Sequence, residues 1–237
     1  MSERKKLLIG SDLVLFVVAL FIGIVCFYPA NVNTSAADGA YRHGNRDGDG
    51  VSLMINVYWG TEEVYRMLDV FDEYAAKATF FIGGSWADDN VECLKEIVKR
   101  GHEVGSHGYF HKDCEGLSYE KTTEEIELSS NLILLATGKK VDLFAPPSGS
   151  YDKTTLRACN DKNMKLILWS RDTVDWRDKD SSVTFDRATN GVKGGELILM
   201  HPMTATAEAL PKILDYYKQN GLRTVTVTEN ITYGGTV

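Results

Sequence analysis

The sequence predicts an α/β domain in which parallel strands carry helices on their outer faces. Three observations lead there. From Val51 onward, short apolar runs alternate with longer stretches whose apolar residues recur at helical spacing, and such alternation joins strands in parallel. The runs are continuously apolar, as strands buried on both faces are. Polar residues stand just past the ends of the runs: Asn56, His107, Ser148, Asp172, Asp175 and His201. In a barrel of parallel strands that rim is where active sites are built. A doubly wound open sheet also fits the alternation, but there is no Gly-rich phosphate loop for a nucleotide.

Taken in order, Val51–Val57 reads as a buried strand. Thr61 is placed to cap a helix with Val64, Met67, Leu68, Phe71 and Ala75 on one face. Residues 78–82 form a second strand closed by Gly83-Gly84, and Asn90 is placed to cap a helix that ends at Gly101. His102–Ser106 is a third strand. Ser118 opens a helix that runs to Thr137 and ends at Gly138. Strands are expected over residues 143–145, 165–169, 197–200 and 223–228, and helices over 153–160, 183–189 and 205–219. His102, at a strand start, reads as structural, and His43 as a linker residue.

Ahead of this domain, Arg4-Lys5-Lys6 precedes an apolar run of 18 residues, Leu13–Ala30. That length is at the lower limit for crossing a bilayer. Tyr28-Pro29 closes the run without a small-x-small site, so residues 1–30 read as an uncleaved signal anchor, with secretion after cleavage as the alternative. The basic tip places the N-terminus in the cytoplasm and the domain outside the cell membrane. Residues 31–50, rich in Asn, Asp, Ser, Ala and Gly, read as a linker, and residues 51–237 as the domain.

The chain carries a formal charge of -7. Residues 1–40 hold three basic and three acidic side chains, so the excess belongs to residues 41–237. An acidic domain argues against nucleic acid as a partner. Cys93, Cys114 and Cys159 show no Cys-x-x-Cys spacing and so form no disulfide framework or thiolate zinc site, although one disulfide stays open. Cys114 reads as a small apolar loop residue, with an approach to a metal as the alternative.

The densest cluster of chemistry is residues 101–111, Gly-His-Glu-Val-Gly-Ser-His-Gly-Tyr-Phe-His, with three of the five histidines. His107 and His111 are four apart, and one helical turn would put both imidazoles on one side, a chelating arrangement for a zinc-type ion. Downstream stand Pro146-Pro147-Ser148-Gly149, Asp172-Thr173-Val174-Asp175-Trp176, and His201 after Leu197-Ile198-Leu199-Met200. From about Tyr41 onward these motifs resemble the polysaccharide deacetylase family, the NodB homology domain of carbohydrate esterase family 4.

The resemblance implies a distorted (β/α) barrel of about seven parallel strands and a metal-assisted hydrolase that removes acetyl groups from N-acetylated sugars of peptidoglycan, chitin or a related glycan. It implies that His107 and His111 bind a divalent metal, zinc by preference, and that the Ser148 backbone N–H binds the oxyanion. It implies that Pro147 and Trp176 line the substrate pocket, that Asp175 orients His201, and that His201 is the acid. The first motif departs. Where the family has Thr-Phe-Asp-Asp-Gly, this chain has Met54-Ile55-Asn56-Val57-Tyr58. Asn56 takes the place of the base and cannot accept a proton near neutral pH. Val57 takes the place of the third metal ligand and cannot coordinate. Ala145 replaces the arginine that pairs with the base. Asp172, on the same rim, is the nearest candidate to serve as base or ligand in their stead.

Two functions follow. One is a membrane-anchored, extracellular deacetylase of cell-wall polysaccharide with an atypical first motif. The other is a catalytically inactive member that binds an extracellular N-acetylated glycan or acts as a scaffold. A metal-dependent amidohydrolase on another acyl amide is a weaker third.

Overall fold

The computed structural model describes residues 39–232, which fall within one unit of the chain, Asn33–Val237. The expected anchor and the start of the expected linker lie outside the described residues. Among those described, no helix is long and apolar enough to cross a membrane.

The sheet is built around β1 (Gly50–Val57), which is buried from its second residue onward. It pairs in parallel with β2 (Thr79–Ile82) on one side and β7 (Leu197–Met200) on the other. With both edges used and both faces covered, it needs an apolar residue at nearly every position. Beyond β2 lie β3 (Glu103–Ser106), β4 (Leu143–Phe144) and β5 (Lys165–Leu166), and beyond β7 lies β6 (Arg171–Asp172). The order is β5-β4-β3-β2-β1-β7-β6, all parallel, with the short β8 (Arg223–Thr224) pairing with the start of β1.

This order forces the sheet to curl. Strands β5 and β6 are its two edges, yet only residues 167–170 separate them in the chain. Five residue steps span at most roughly 18 Å, whereas the edges of a flat seven-strand sheet would lie roughly 29 Å apart. The sheet is therefore a half-barrel. The seam is tied by the stretch ahead of β1: Tyr41 bridges Ile167 in parallel and His43 bridges Glu196 antiparallel. Residues 40–49 thus do not behave as the linker expected of them. Backbone bridges and single side chains hold them, with Ala40 and Tyr41 against the core and Asp49 on Arg223, and neither leaves an apolar periodicity in the sequence.

Alternation along β1 sorts its side chains. Leu53, Ile55 and Val57 join the outer core, against Val64, Met67, Leu68 and Phe71 of α1 (Thr61–Glu73). Met54 faces the interior of the curl with Phe81, Leu143 and Leu197. Asn56, two residues on, points the same way as Met54.

The helices follow the expected spacing, with corrections at their ends. Thr61 and Asn90 do not cap. The Thr61 hydroxyl instead donates to Asn90 Oδ1 at 2.8 Å and accepts from Trp86 Nε1 at 3.0 Å. Where a turn was expected at Gly83-Gly84, α2 (Gly84–Asp89) begins, followed by α3 (Val91–Lys99). Ser118 does cap α4 (Tyr119–Thr137). Helices α5 (Lys153–Asp161), α6 (Asp175–Asp178), α7 (Ser181–Thr189) and α8 (Thr204–Gln219) complete the outer layer. The strand expected over 165–169 stops at Leu166, where the chain crosses to the far edge. The one expected over 223–228 stops at Thr224 and turns into α9 (Val227–Thr232), whose Val227 and Ile231 fill the interior cluster. The cysteines Cys93, Cys114 and Cys159 are free and buried. Burial pushes the Cys114 thiol up to about 12, which agrees with the apolar reading of that residue.

Candidate active site

A cavity of about 340 Å³ opens at the C-terminal ends of the strands. It brings together Asn56, His107, His111, Ser148, Asp172, Trp176 and His201 of the predicted residues, and adds Trp59, Trp169 and Leu199. Three predicted residues do not line it. Pro147 is buried against Gly108, Val57 belongs to the outer core, and Asp175 is fully buried next to His201.

The histidine pair does not sit on a helix as its spacing suggested. Residues 107–118 are irregular, and His111 has a left-handed backbone with φ of +56°. The two rings nevertheless meet edge to face, 5.0 Å between centroids. His107 Nδ1 lies 2.7 Å from the Ala145 carbonyl oxygen. A carbonyl only accepts, so Nδ1 carries the proton and Nε2 keeps its lone pair. Burial, reinforced by His111, lowers the His107 pKa to about 3, so this ring is neutral near pH 7. Burial lowers the pKa of His111 as well.

His201 is oriented by the most heavily bonded carboxylate of the site. Asp175 Oδ1 accepts from His201 Nδ1 at 2.8 Å and from the Trp176 N–H at 2.9 Å. Oδ2 accepts from the His201 N–H at 2.8 Å and from the Thr206 hydroxyl at 2.5 Å. Four donors hold the charge of a group with no exposed surface, which is what burying a carboxylate requires. They leave His201 Nε2 as the free nitrogen of its ring. Trp59 stacks on that ring at 5.6 Å and 6°.

Ser148 has φ of +57° in the short turn Pro147–Gly149. The N–H groups of Gly149 and Ser150 bond back to the carbonyls of Pro146 and Pro147. The Ser148 N–H donates to no acceptor among the described residues. Gly149 permits this turn: with φ of +67°, a Cβ there would lie 2.7 Å from the Trp169 ring. Asn56 is 3 % exposed, and its Oδ1 accepts no hydrogen bond.

These residues do not fit a metal held by three protein ligands. The cavity offers two imidazoles. The Val57 isopropyl group packs on the opposite face of β1, and Asp172 Oδ1 is engaged by the Val174 N–H at 2.8 Å. Among the described residues, no group of three or more His, Cys, Asp or Glu is placed to hold an ion, whereas a catalytic zinc normally takes three protein ligands.

Sequence reasoning passed over Glu125, Thr206 and Trp59. Glu125 carried one signal: it falls among Thr122, Ile126 and Ser129 on the buried face of α4, where a carboxylate needs partners. Thr206 carried none, because its partner Asp175 lies 31 positions away.

A curled parallel sheet with a polar pocket at its C-terminal rim defines a barrel-type α/β domain with its site at the rim, and comparison with known proteins supplies the family. Residues 43–167 match the polysaccharide deacetylase family. The chain is 38% identical over 186 residues to the uncharacterized protein YlxY of Bacillus subtilis, covering 78% of this chain and 58% of that protein. It is 30% identical over 174 residues to a peptidoglycan-N-acetylglucosamine deacetylase of Bacillus cereus, covering 71% of this chain and 81% of the enzyme. Among solved structures it is similar to BA3943 of Bacillus anthracis, a CE4 family pseudoenzyme, with TM-score 0.80 and 33% identity over 83% of this chain and 70% of that one. A mutant of BA3943 with restored enzymatic activity matches with the same TM-score. The chain belongs to the polysaccharide deacetylase family, carbohydrate esterase family 4. Deacetylases of this family are typically metal-dependent.

Proposed function

We propose that this domain is a catalytically silent deacetylase that binds an N-acetylated sugar of a peptidoglycan-type glycan. One observation carries the reading: on β1, Asn56 faces the cavity with an unbonded amide oxygen, while Val57 is buried on the other side. The site has a hydrogen-bonding group where hydrolysis needs a base, and only two imidazoles where a catalytic metal needs three protein ligands. Loss of the base alone lowers a rate by roughly 10²–10⁴. What remains suits an intact acetamide. The Ser148 N–H donates to its carbonyl, Asn56 accepts from its N–H, and Leu199 meets the methyl. Trp59 and Trp176, 41% and 49% exposed, offer faces to sugar rings. The similarity to a pseudoenzyme and to a peptidoglycan deacetylase supports this reading. Residues 1–30 would hold the domain at the outer face of the cell membrane, or be removed on secretion. The chain spans 58% of the length of YlxY.

A second reading, hydrolysis, draws on the Asp175–His201–Thr206 network, which a binding module does not need, and on Asp172 as the carboxylate in the cavity. Titration with N-acetylglucosamine oligomers and their de-N-acetylated counterparts, with acetate assayed in the same samples, separates the two. Binding selective for the acetylated oligomer without acetate is expected. Acetate release that is lost in His201→Ala would establish the hydrolase instead.

A further inference from the structure

The irregular segment after β3 holds two imidazoles face to edge, although no helix sets their spacing. Its backbone is clamped from both sides. The carbonyls of Gly108 and Tyr109 accept from the N–H groups of Gly84 and Ser85, at the start of α2, at 2.9 and 3.0 Å. Its own N–H groups, those of Tyr109 and Phe110, both donate to Glu125 Oε2, at 2.9 and 2.8 Å. Glu125 is a 2 % exposed carboxylate on α4, and Lys112 Nζ approaches its Oε1 at 3.8 Å. One turn further along the same face, the Ser129 hydroxyl donates to the carbonyl of Ile82 at the end of β2, which fixes α4 against the sheet. Gly108 has φ of +73°, and a Cβ there would lie 3.0 Å from Glu125 Oε2. The carboxylate is therefore seated against a position that glycine alone fills comfortably.

We infer that Glu125 is a positioning residue: it holds the His107–His111 segment in its ligand-ready shape through the two backbone N–H groups. The argument is one of cost. Without it, those two part-buried donors would lose their acceptor, and the segment would be free to rearrange towards water. His111, one residue past the second donor, would move with it. The carbonyl of a glutamine accepts the same two bonds, and alanine accepts neither.

Hydrogen exchange in the full-length protein tests this directly. The amides of Tyr109 and Phe110 are expected to exchange about as slowly as those of β3 in the native chain and in Glu125→Gln. In Glu125→Ala they should exchange at least about tenfold faster, with β1 protection unchanged. Affinity for the acetylated oligomer should fall about tenfold in Glu125→Ala and stay within about threefold in Glu125→Gln. Fast exchange at both amides in the native chain would overturn the inference, and so would slow exchange in a folded Glu125→Ala. Should Glu125→Ala not fold, the native-chain measurement decides alone. Only the affinity arm rests on the glycan-binding reading. A native chain that binds no glycan sinks that reading and leaves the exchange result to judge Glu125.

Discussion

At the residue scale, the site is governed by which polar atoms are paired. Thr206 gives Asp175 one of its four hydrogen bonds, and bonds to charged groups contribute about 1.5–3 kcal/mol. Thr206→Val keeps the shape and should cost about 2 kcal/mol in chemical denaturation. A change below about 0.5 kcal/mol would mean the carboxylate does not depend on that donor. His102 gives a pH signature away from the cavity. Its Nδ1 accepts from the Ala78 N–H, its ring packs on Phe71 and Phe80, and burial lowers its pKa from 6.5 to about 4. The unfolded chain thus binds a proton there between those two values and the folded chain does not. The stability His102 confers is complete above about pH 6.5 and is lost as pH falls towards about 4, by up to about 3 kcal/mol. His102→Asn, which keeps an acceptor but does not titrate, should flatten the stability profile across that window. The sequence showed which residues were candidates, because a histidine or aspartate at a strand end is visible. It could not show pairing: Asp175 was read as orienting His201 through family likeness, and neither Thr206 nor the orphaned Asn56 oxygen has a local signal.

At the element scale, the positions of most elements were legible and the bounds of the short strands were not. Helices α4 and α8 and strands β1 and β7 are marked by many apolar residues each. Strands β5 and β8 begin where their expected runs begin but stop after two residues, and the two-residue β6 has no apolar run to mark it. The histidine pair shows the limit of spacing arguments. Four residues apart suggested a helical turn, but Glu125 and the α2 N–H groups set a different backbone with the same result for the rings. Capping was legible at Ser118, which caps α4, and was passed over at Asp152. Asp152 caps α5, accepting from the Thr155 N–H at 2.9 Å, and the Thr155 hydroxyl accepts from the Asp152 N–H at 3.2 Å. Asp152→Ala should therefore destabilise the fold by about 1 kcal/mol in urea unfolding. Thr61 and Asn90 look like caps in the sequence, yet they bond to each other and to Trp86. Tertiary partners won there.

At the scale of the whole molecule, the parallel half-barrel gathers residues from Asn56 to His201 around one cavity. The alternation of β1 then decides the chemistry. An inward Asn56 and an outward Val57 leave a pocket with a hydrogen-bonding floor and two neutral imidazoles. The rest of the rim carries the buried Asp175–His201 pair and the Ser148 turn. The account holds that catalysis was lost where the family pattern departs, at Asn56 and Val57 and at Ala145, which stands where an arginine would pair with the base. The measurement that tests this most directly is acetate release with zinc content, in parallel, for the native chain and for His201→Ala, with zinc supplied to both. The account predicts neither bound zinc nor acetate from the native chain, and no difference in acetate between the two. Zinc-dependent acetate release by the native chain would contradict it.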